Sequence, residues 1–219
     1  MKINIKGPIV STNDKFIYDF FGLEAVCPLD VGKALKQADG MPVDIEINSS
    51  GGSIFAGNDI YTALRSYQGE VNINIVWAGS AASIIAMAGK SKISPVGQIM
   101  IHNVSVAGIS GDYHQMDKAS EMLQSANKSL AAAYTHKTGK SESEILQMMD
   151  KETWLTAEQA VALGFVDSVM FQDLAAAIPG SDMLPREVIE KTRKMINNKK
   201  QSDLLRAELE LLKLGGSYD

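Results

Sequence analysis

Residues 43–52, Val43-Asp44-Ile45-Glu46-Ile47-Asn48-Ser49-Ser50-Gly51-Gly52, read as a strand that runs into a glycine loop. Val43, Ile45 and Ile47 alternate with polar residues, the period of a half-buried strand. Asn48 to Gly52 ends it, and Ile60, Ala63 and Leu64 then recur at helical spacing, so the loop joins a strand to a helix. The scheme repeats further on. Val71, Ile73, Ile75 and Trp77 alternate, Gly79 breaks the strand, and Ala81 to Ala88 reads as a compact buried helix with Ser83 near its start. The turn Ser94-Pro95-Val96-Gly97 precedes another strand over Gln98 to His102. Successive strand-loop-helix units predict an α/β domain.

Beyond these units, Met116, Ala119, Leu123, Ala126, Leu130 and Ala133 fall at steps of three and four, which predicts a long amphipathic helix from about Asp112 to Lys137. Its stripe needs a partner surface, either the same domain or another subunit. Ser141 with Glu144 and Thr156 with Gln159 have capping-box spacing at two later helix starts. Gly164 suits the end of the second of these, ahead of a strand near Phe165 and Val166. Residues 1–171 are expected to form the folded domain. The Ala-, Pro-, Gly- and Ser-rich residues 172–184 read as a linker, and 185–219 as a helical tail opened by Pro185, with Leu205, Leu209 and Leu212 in a stripe. Its basic residues Lys191, Arg193, Lys194, Lys199 and Lys200 read as a solvated face, because acidic residues flank the run and no aromatic interleaves it.

A chain of 219 residues, 45% of them hydrophobic, is long enough for one substantial core. It has no apolar run approaching the roughly 20 residues of a membrane helix. Its first residues lack the apolar segment of a secretory signal, so a cytoplasmic location and no membrane partner are expected. Cys27 is the only cysteine, which excludes an intrachain disulfide and a cysteine metal cluster and predicts a buried structural thiol. The net charge of −5 gives no basic field for nucleic acid. Proteins or peptides are the expected partners.

A hydrolytic serine needs a base, a group to orient that base, and N–H donors for the oxyanion. Of the three histidines, His114 and His136 fall on the long helix and read as helix-face residues. His102 ends the apolar run Ile99-Met100-Ile101, where a strand delivers it to the rim of a sheet. From the residues alone, His102 also suits an ordinary strand end. Ser83, following Ala81 and Ala82, likewise suits close helix packing.

Four segments resemble, in order, the successive signatures of the ClpP serine-peptidase family. They are Ile47 to Gly52, Gly79-Ser80-Ala81-Ala82-Ser83, Met100-Ile101-His102-Asn103, and Trp154 to Ala160 continuing through Gly164-Phe165-Val166-Asp167. Together they extend over roughly Pro42 to Val169. The resemblance implies a ClpP/crotonase-type superhelix of strand-turn-helix units, with the long helix protruding as a handle between subunits. It implies Ser83 as nucleophile, His102 as general base, and the backbone N–H groups of Gly51 and Ile84 as the oxyanion hole. The stretch after Gly51-Gly52 is implied as an extended edge for the substrate peptide, with Gly52 in the substrate-binding set. Glu152 stands where the family usually has the aspartate that orients the histidine, with Asp150 as the rival, and Ser50 replaces a proline often found before the two glycines.

The implied reaction is peptide-bond hydrolysis through an acyl-enzyme, with no metal or cofactor, in a ring-forming homo-oligomer of two stacked rings that takes polypeptide substrates. Ile3-Asn4-Ile5-Lys6-Gly7 resembles the first core strand, and this short start argues against dependence on an ATP-driven unfoldase. The start, the wording Glu152-Thr153-Trp154-Leu155-Thr156-Ala157-Glu158 and the helical tail resemble the ClpP-related peptidases of phages and prophages, which are associated with head maturation. Two other readings share the fold: a crotonase-like acyl-CoA enzyme, whose glycine loops also bind an oxyanion, and a noncatalytic assembly protein.

Overall fold

The computed structural model describes residues 1–171 and the isolated Glu190. The predicted linker 172–184, and the predicted tail 185–219 with its basic run, otherwise lie outside the described residues. In chain order the elements are β1 (Lys2–Lys6), α1 (Lys15–Phe20), α2 (Pro28–Ala38), β2 (Val43–Ser49), α3 (Ile54–Ser66), β3 (Val71–Gly79) and α4 (Ala81–Ile85). A single 3-10 turn (Ala86–Ala88) follows, then β4 (Lys90–Ile101), α5 (Tyr113–Thr138), α6 (Glu142–Asp150), β5 (Thr153–Thr156), α7 (Ala157–Ala162) and β6 (Ser168–Val169).

The strands form one sheet in the order β1-β2-β3-β4-β5, with β6 also pairing β4. The pairs β1–β2, β2–β3 and β3–β4 are parallel and β4–β5 is antiparallel. The alternation read in the sequence is the alternation of the two faces. Ile45, Ile47, Ile73 and Ile75 are fully or almost fully buried beneath the helices, whereas Asp44 and Asn72 lie on the opposite face. A fully buried isoleucine contributes about 1.5–3 kcal/mol. Cys27 is buried as a free thiol, as its isolation in the sequence suggests.

Two parts of the sequence reading change. The turn at Ser94–Gly97 does not separate β4 into two elements. Ile75 pairs with Ile93 and Trp77 with Gln98, so residues 94–97 bulge opposite Val76 and the ladder resumes beyond them. The strand expected near Phe165 and Val166 does not form there. Both N–H groups bond the Ala160 carbonyl, at 2.8 and 3.3 Å, and close the end of α7. Strand pairing starts later, where Ser168 and Val169 meet Lys92 and Ile93.

The long helix is present, with a capping box between Asp112 and Gln115 that the sequence reading had not identified. The boxes at Ser141/Glu144 and Thr156/Gln159 form as expected. Only the later part of α5 enters the core, through Leu130, Ala131, Ala133 and Tyr134. Met116 and Met122 are exposed. The helix is anchored at its end by Lys137, whose ammonium donates to the Gly89 carbonyl (3.1 Å) and to Asp167 Oδ2 (2.7 Å). Partial burial pushes the Asp167 carboxyl up, but Lys137 and the Ser91 N–H and hydroxyl outweigh it and hold it below its ordinary value. No helix among the described residues is long and apolar enough to cross a membrane.

Candidate active site

The parallel pairing of β3 with β4 builds the site. Gly79 pairs with Met100, and the next residue, Ser80, donates its backbone N–H to the Met100 carbonyl at 3.0 Å. Two residues beyond Met100 stands His102. Neighbouring strands of one sheet therefore bring Ser80 and His102 side by side, and His102 Nε2 lies 2.8 Å from Ser80 Oγ. Which of the two donates depends on the imidazole tautomer.

Ser80 is the N-cap of α4 and turns the chain sharply from strand to helix, at φ 51° and ψ −126°. Such a left-handed backbone is strained for a residue with a side chain, and it leaves the hydroxyl projecting from the elbow. Gly51 packs against this elbow. A Cβ on Gly51 would sit 2.7 Å from Ser80 Cβ, 2.8 Å from the Gly79 carbonyl oxygen and 3.0 Å from Ala81 N, and its own φ is +104°. Glycine is required there by both space and backbone.

The structure does not bring Ser83 and His102 together. Ser83 is fully buried one turn into α4, where its Oγ donates to the Ser80 carbonyl at 2.6 Å and meets the Tyr134 hydroxyl at 2.7 Å. In this structure the hydroxyl that meets His102 Nε2 is that of Ser80, and Ser83 lies one helical turn further along α4. The Gly51 N–H is occupied by Ser49 Oγ at 3.1 Å, and Ser49 in turn donates to the Gly7 carbonyl. Ile84 is the fourth residue of α4, far enough in for the helix to take up its N–H.

Gly52 forms a parallel bridge with Ile9, in which Ile9 N–H donates to the Gly51 carbonyl (2.9 Å) and Ser53 N–H to the Ile9 carbonyl (2.8 Å). A parallel bridge of this kind uses the flanking groups and turns Gly52's own N–H to the opposite side. Ala81 is the first residue of α4, where no intrahelical acceptor exists for its N–H. No extended edge follows Gly52, because Ser53 caps α3 and Ile54 begins it.

Neither Glu152 nor Asp150 hydrogen-bonds the histidine. Asp150 Oδ1 accepts from Asn103 Nδ2 at 2.8 Å, and Glu152 Oε1 accepts from the Trp154 indole at 3.2 Å. The β4–β5 register pairs Ile101 with Thr153, so one further step sets Glu152 opposite His102. Ser80 and His102 border a cavity of about 300 Å³ whose walls include Ile54, Phe55, Ile84, Val104, Leu130 and Tyr134. Ser83 does not line it.

A serine-bearing strand-to-helix elbow beside a histidine from the adjacent strand is an arrangement that serine-type hydrolases use. The model of the Clp protease family matches residues 33–173, and the chain belongs to that family. Over 137 residues it is 30% identical to the ATP-dependent Clp protease proteolytic subunit 1 of Chlamydia abortus, covering 60% of this chain and 71% of that one. It is 35% identical over 134 residues to the corresponding subunit 1 of Streptomyces avermitilis, with 58% and 60% covered. To subunit 2 of Tropheryma whipplei it is 30% identical over 141 residues, with 62% and 78% covered. The protein is a serine-type peptidase of ClpP-type α/β fold.

Proposed function

We propose that this protein hydrolyses peptide bonds through an acyl-enzyme formed on Ser83, with His102 as general base and acid. The observation that carries the reading is that the Clp family match spans both Gly79-Ser80-Ala81-Ala82-Ser83 and Met100-Ile101-His102-Asn103, which the neighbouring parallel strands β3 and β4 deliver to one end of the sheet. His102, which bonds Ser80 in the structure, turns to Ser83 Oγ and takes its proton as the hydroxyl attacks the scissile carbonyl. The backbone N–H groups of Gly51, held on Ser49 Oγ in the structure, and of Ile84 stabilise the oxyanion, and the imidazolium then protonates the leaving amine. Water repeats the sequence in reverse roles and frees Ser83. A fluorophosphonate should label intact protein at Ser83, as read by peptide mapping. Labelling at Ser80, or none in protein that cleaves peptides, would refute the assignment.

Glu152 is proposed as the group that orients His102 through Nδ1, its carboxylate swinging from the Trp154 indole across the register it shares with the histidine. Glu152→Gln is expected to lower kcat about tenfold, because a neutral amide does not stabilise the imidazolium. Asp150→Asn should change it less than threefold. The reverse order in steady-state kinetics would make Asp150 the orienting acid.

The proposal extends to assembly. The exposed apolar residues of α5 support a homo-oligomeric ring in which this helix is covered by another subunit, with two rings stacked around the sites and polypeptides as substrates. The wording around Trp154 supports a role in phage head maturation.

A further inference from the structure

Between β1 and α2 the chain makes an excursion over residues 11–25 that the proposed chemistry does not use. Its neck is closed by a bridge of Ile9 with Val26, in which Val10 N–H donates to the Val26 carbonyl (2.9 Å) and Val26 N–H to the Pro8 carbonyl (3.0 Å). Gly7, at φ +69°, lets the returning chain pass close, since a Cβ there would overlap the Glu24 carbonyl. Lys15 pairs with Asp19 within α1 and reaches Asp30 of α2 at 3.9 Å. The neck is thus fixed, yet α1 buries none of its residues. Phe16, Phe20, Phe21 and Leu23 are each more than half exposed. Large apolar groups gathered in one exposed place mark an interaction surface.

Part of that surface is concave. Ile17 and Phe21, one turn apart on α1, line a cavity of about 630 Å³ together with Leu23 and with Ile9 and Val10 from the neck. This cavity also reaches Gly52 and Ser53, and the same two residues line the cavity of Ile84 and His102. The two hollows therefore adjoin at the glycine loop. We propose that the α1 cavity is a substrate subsite, which takes an apolar side chain of the bound polypeptide at a position removed from the scissile bond. Its size is that of a pocket for small apolar groups, whereas a contact between two copies spreads over a broad patch of about 800 Å² on each. A polypeptide cleaved beside His102 that runs on past Gly52 and Ser53 advances about 3.3 Å per residue with its side chains alternating, so one position on that side of the cut presents its side chain to the α1 cavity.

The inference rests on the cavity of His102 as the place of cleavage, and its effect belongs to binding rather than to the chemical step. In quenched fluorogenic peptides that carry Leu or Ser in turn at each position, one position away from the cut should prefer Leu by about tenfold in kcat/KM, mostly through KM. Phe21→Ser and Ile17→Ser should each reduce that preference to about twofold or less and leave turnover of the Ser peptide unchanged. Both side chains are exposed, so the fold should tolerate either change, as circular dichroism checks. Phe20→Ser is the control. Phe20 is 81% exposed on the same helix but does not line the cavity, and its replacement should keep the preference. Binding of the same peptides to Ser83→Ala protein, read by fluorescence anisotropy, should show the preference without turnover. A wild-type protein with no such position, or a preference that survives both Phe21→Ser and Ile17→Ser, would overturn the inference. So would an equal loss on Leu and Ser peptides, and if sedimentation changed with it, α1 would be a contact between copies instead. A fluorophosphonate label away from Ser83 refutes the assigned nucleophile alone, and the peptide series still decides the subsite.

Discussion

Ser83→Ala should lower peptide hydrolysis by about 10⁵- to 10⁶-fold, His102→Ala should come close to it, and the double variant should be hardly worse than either. Nucleophile and base act as one unit, so removing either forfeits the covalent route. Circular dichroism checks that both variants fold. The same assay on Ser80→Ala separates the two serines of Gly79-Ser80-Ala81-Ala82-Ser83. A nucleophile at Ser80 would put the large loss there and leave Ser83→Ala active.

Gly51→Ala should be the most damaging substitution outside the reacting pair, with a loss of about 10³-fold. The added methyl meets Ser80 Cβ, the Gly79 carbonyl oxygen and Ala81 N within 3.0 Å, and these belong to the backbone elbow rather than to a flexible tip. Alanine also resists φ +104°. Relief requires the elbow to move, which displaces the first turn of α4 with Ser83 from His102 and the proposed Gly51 donor from the oxyanion together. A displacement near 1 Å costs about 10² in rate by itself, and a lost donor adds about as much or more. Kinetics on folded protein, checked by circular dichroism, read the effect; activity within tenfold of wild type would mean that the loop yields instead.

Much of this architecture was legible in the sequence because it depends on alternation and on punctuation by glycine. Val43 to Gly52 and Val71 to Gly79 gave strands ending in loops, and the apolar run before His102 delivered that histidine to the sheet's rim, where it stands. The contact that His102 makes in the structure was not legible by the same means. Ser80 and Ser83 are three residues apart, one helical turn, and which one meets the histidine depends on the residue at which α4 begins. That start is set by the positive φ of Ser80, a property of tertiary packing against Gly51. Helices α1 and α2 lay in the segment between the first strand and Pro42, where no repeating pattern had been read.

The bulge at Ser94–Gly97 has a consequence for how this chain tolerates change. The ladder between β3 and β4 is closed below it by Ile75 with Ile93 and reopened above it by Trp77 with Gln98, and Val96 at its tip is 90% exposed. Length inserted at Val96 is absorbed as a longer loop, because the pairings that set Ser80 beside His102 all lie on the far side. The bulge is thus a natural graft point in the catalytic strand itself, where a reporter or recognition peptide can be carried close to the active centre without altering its geometry.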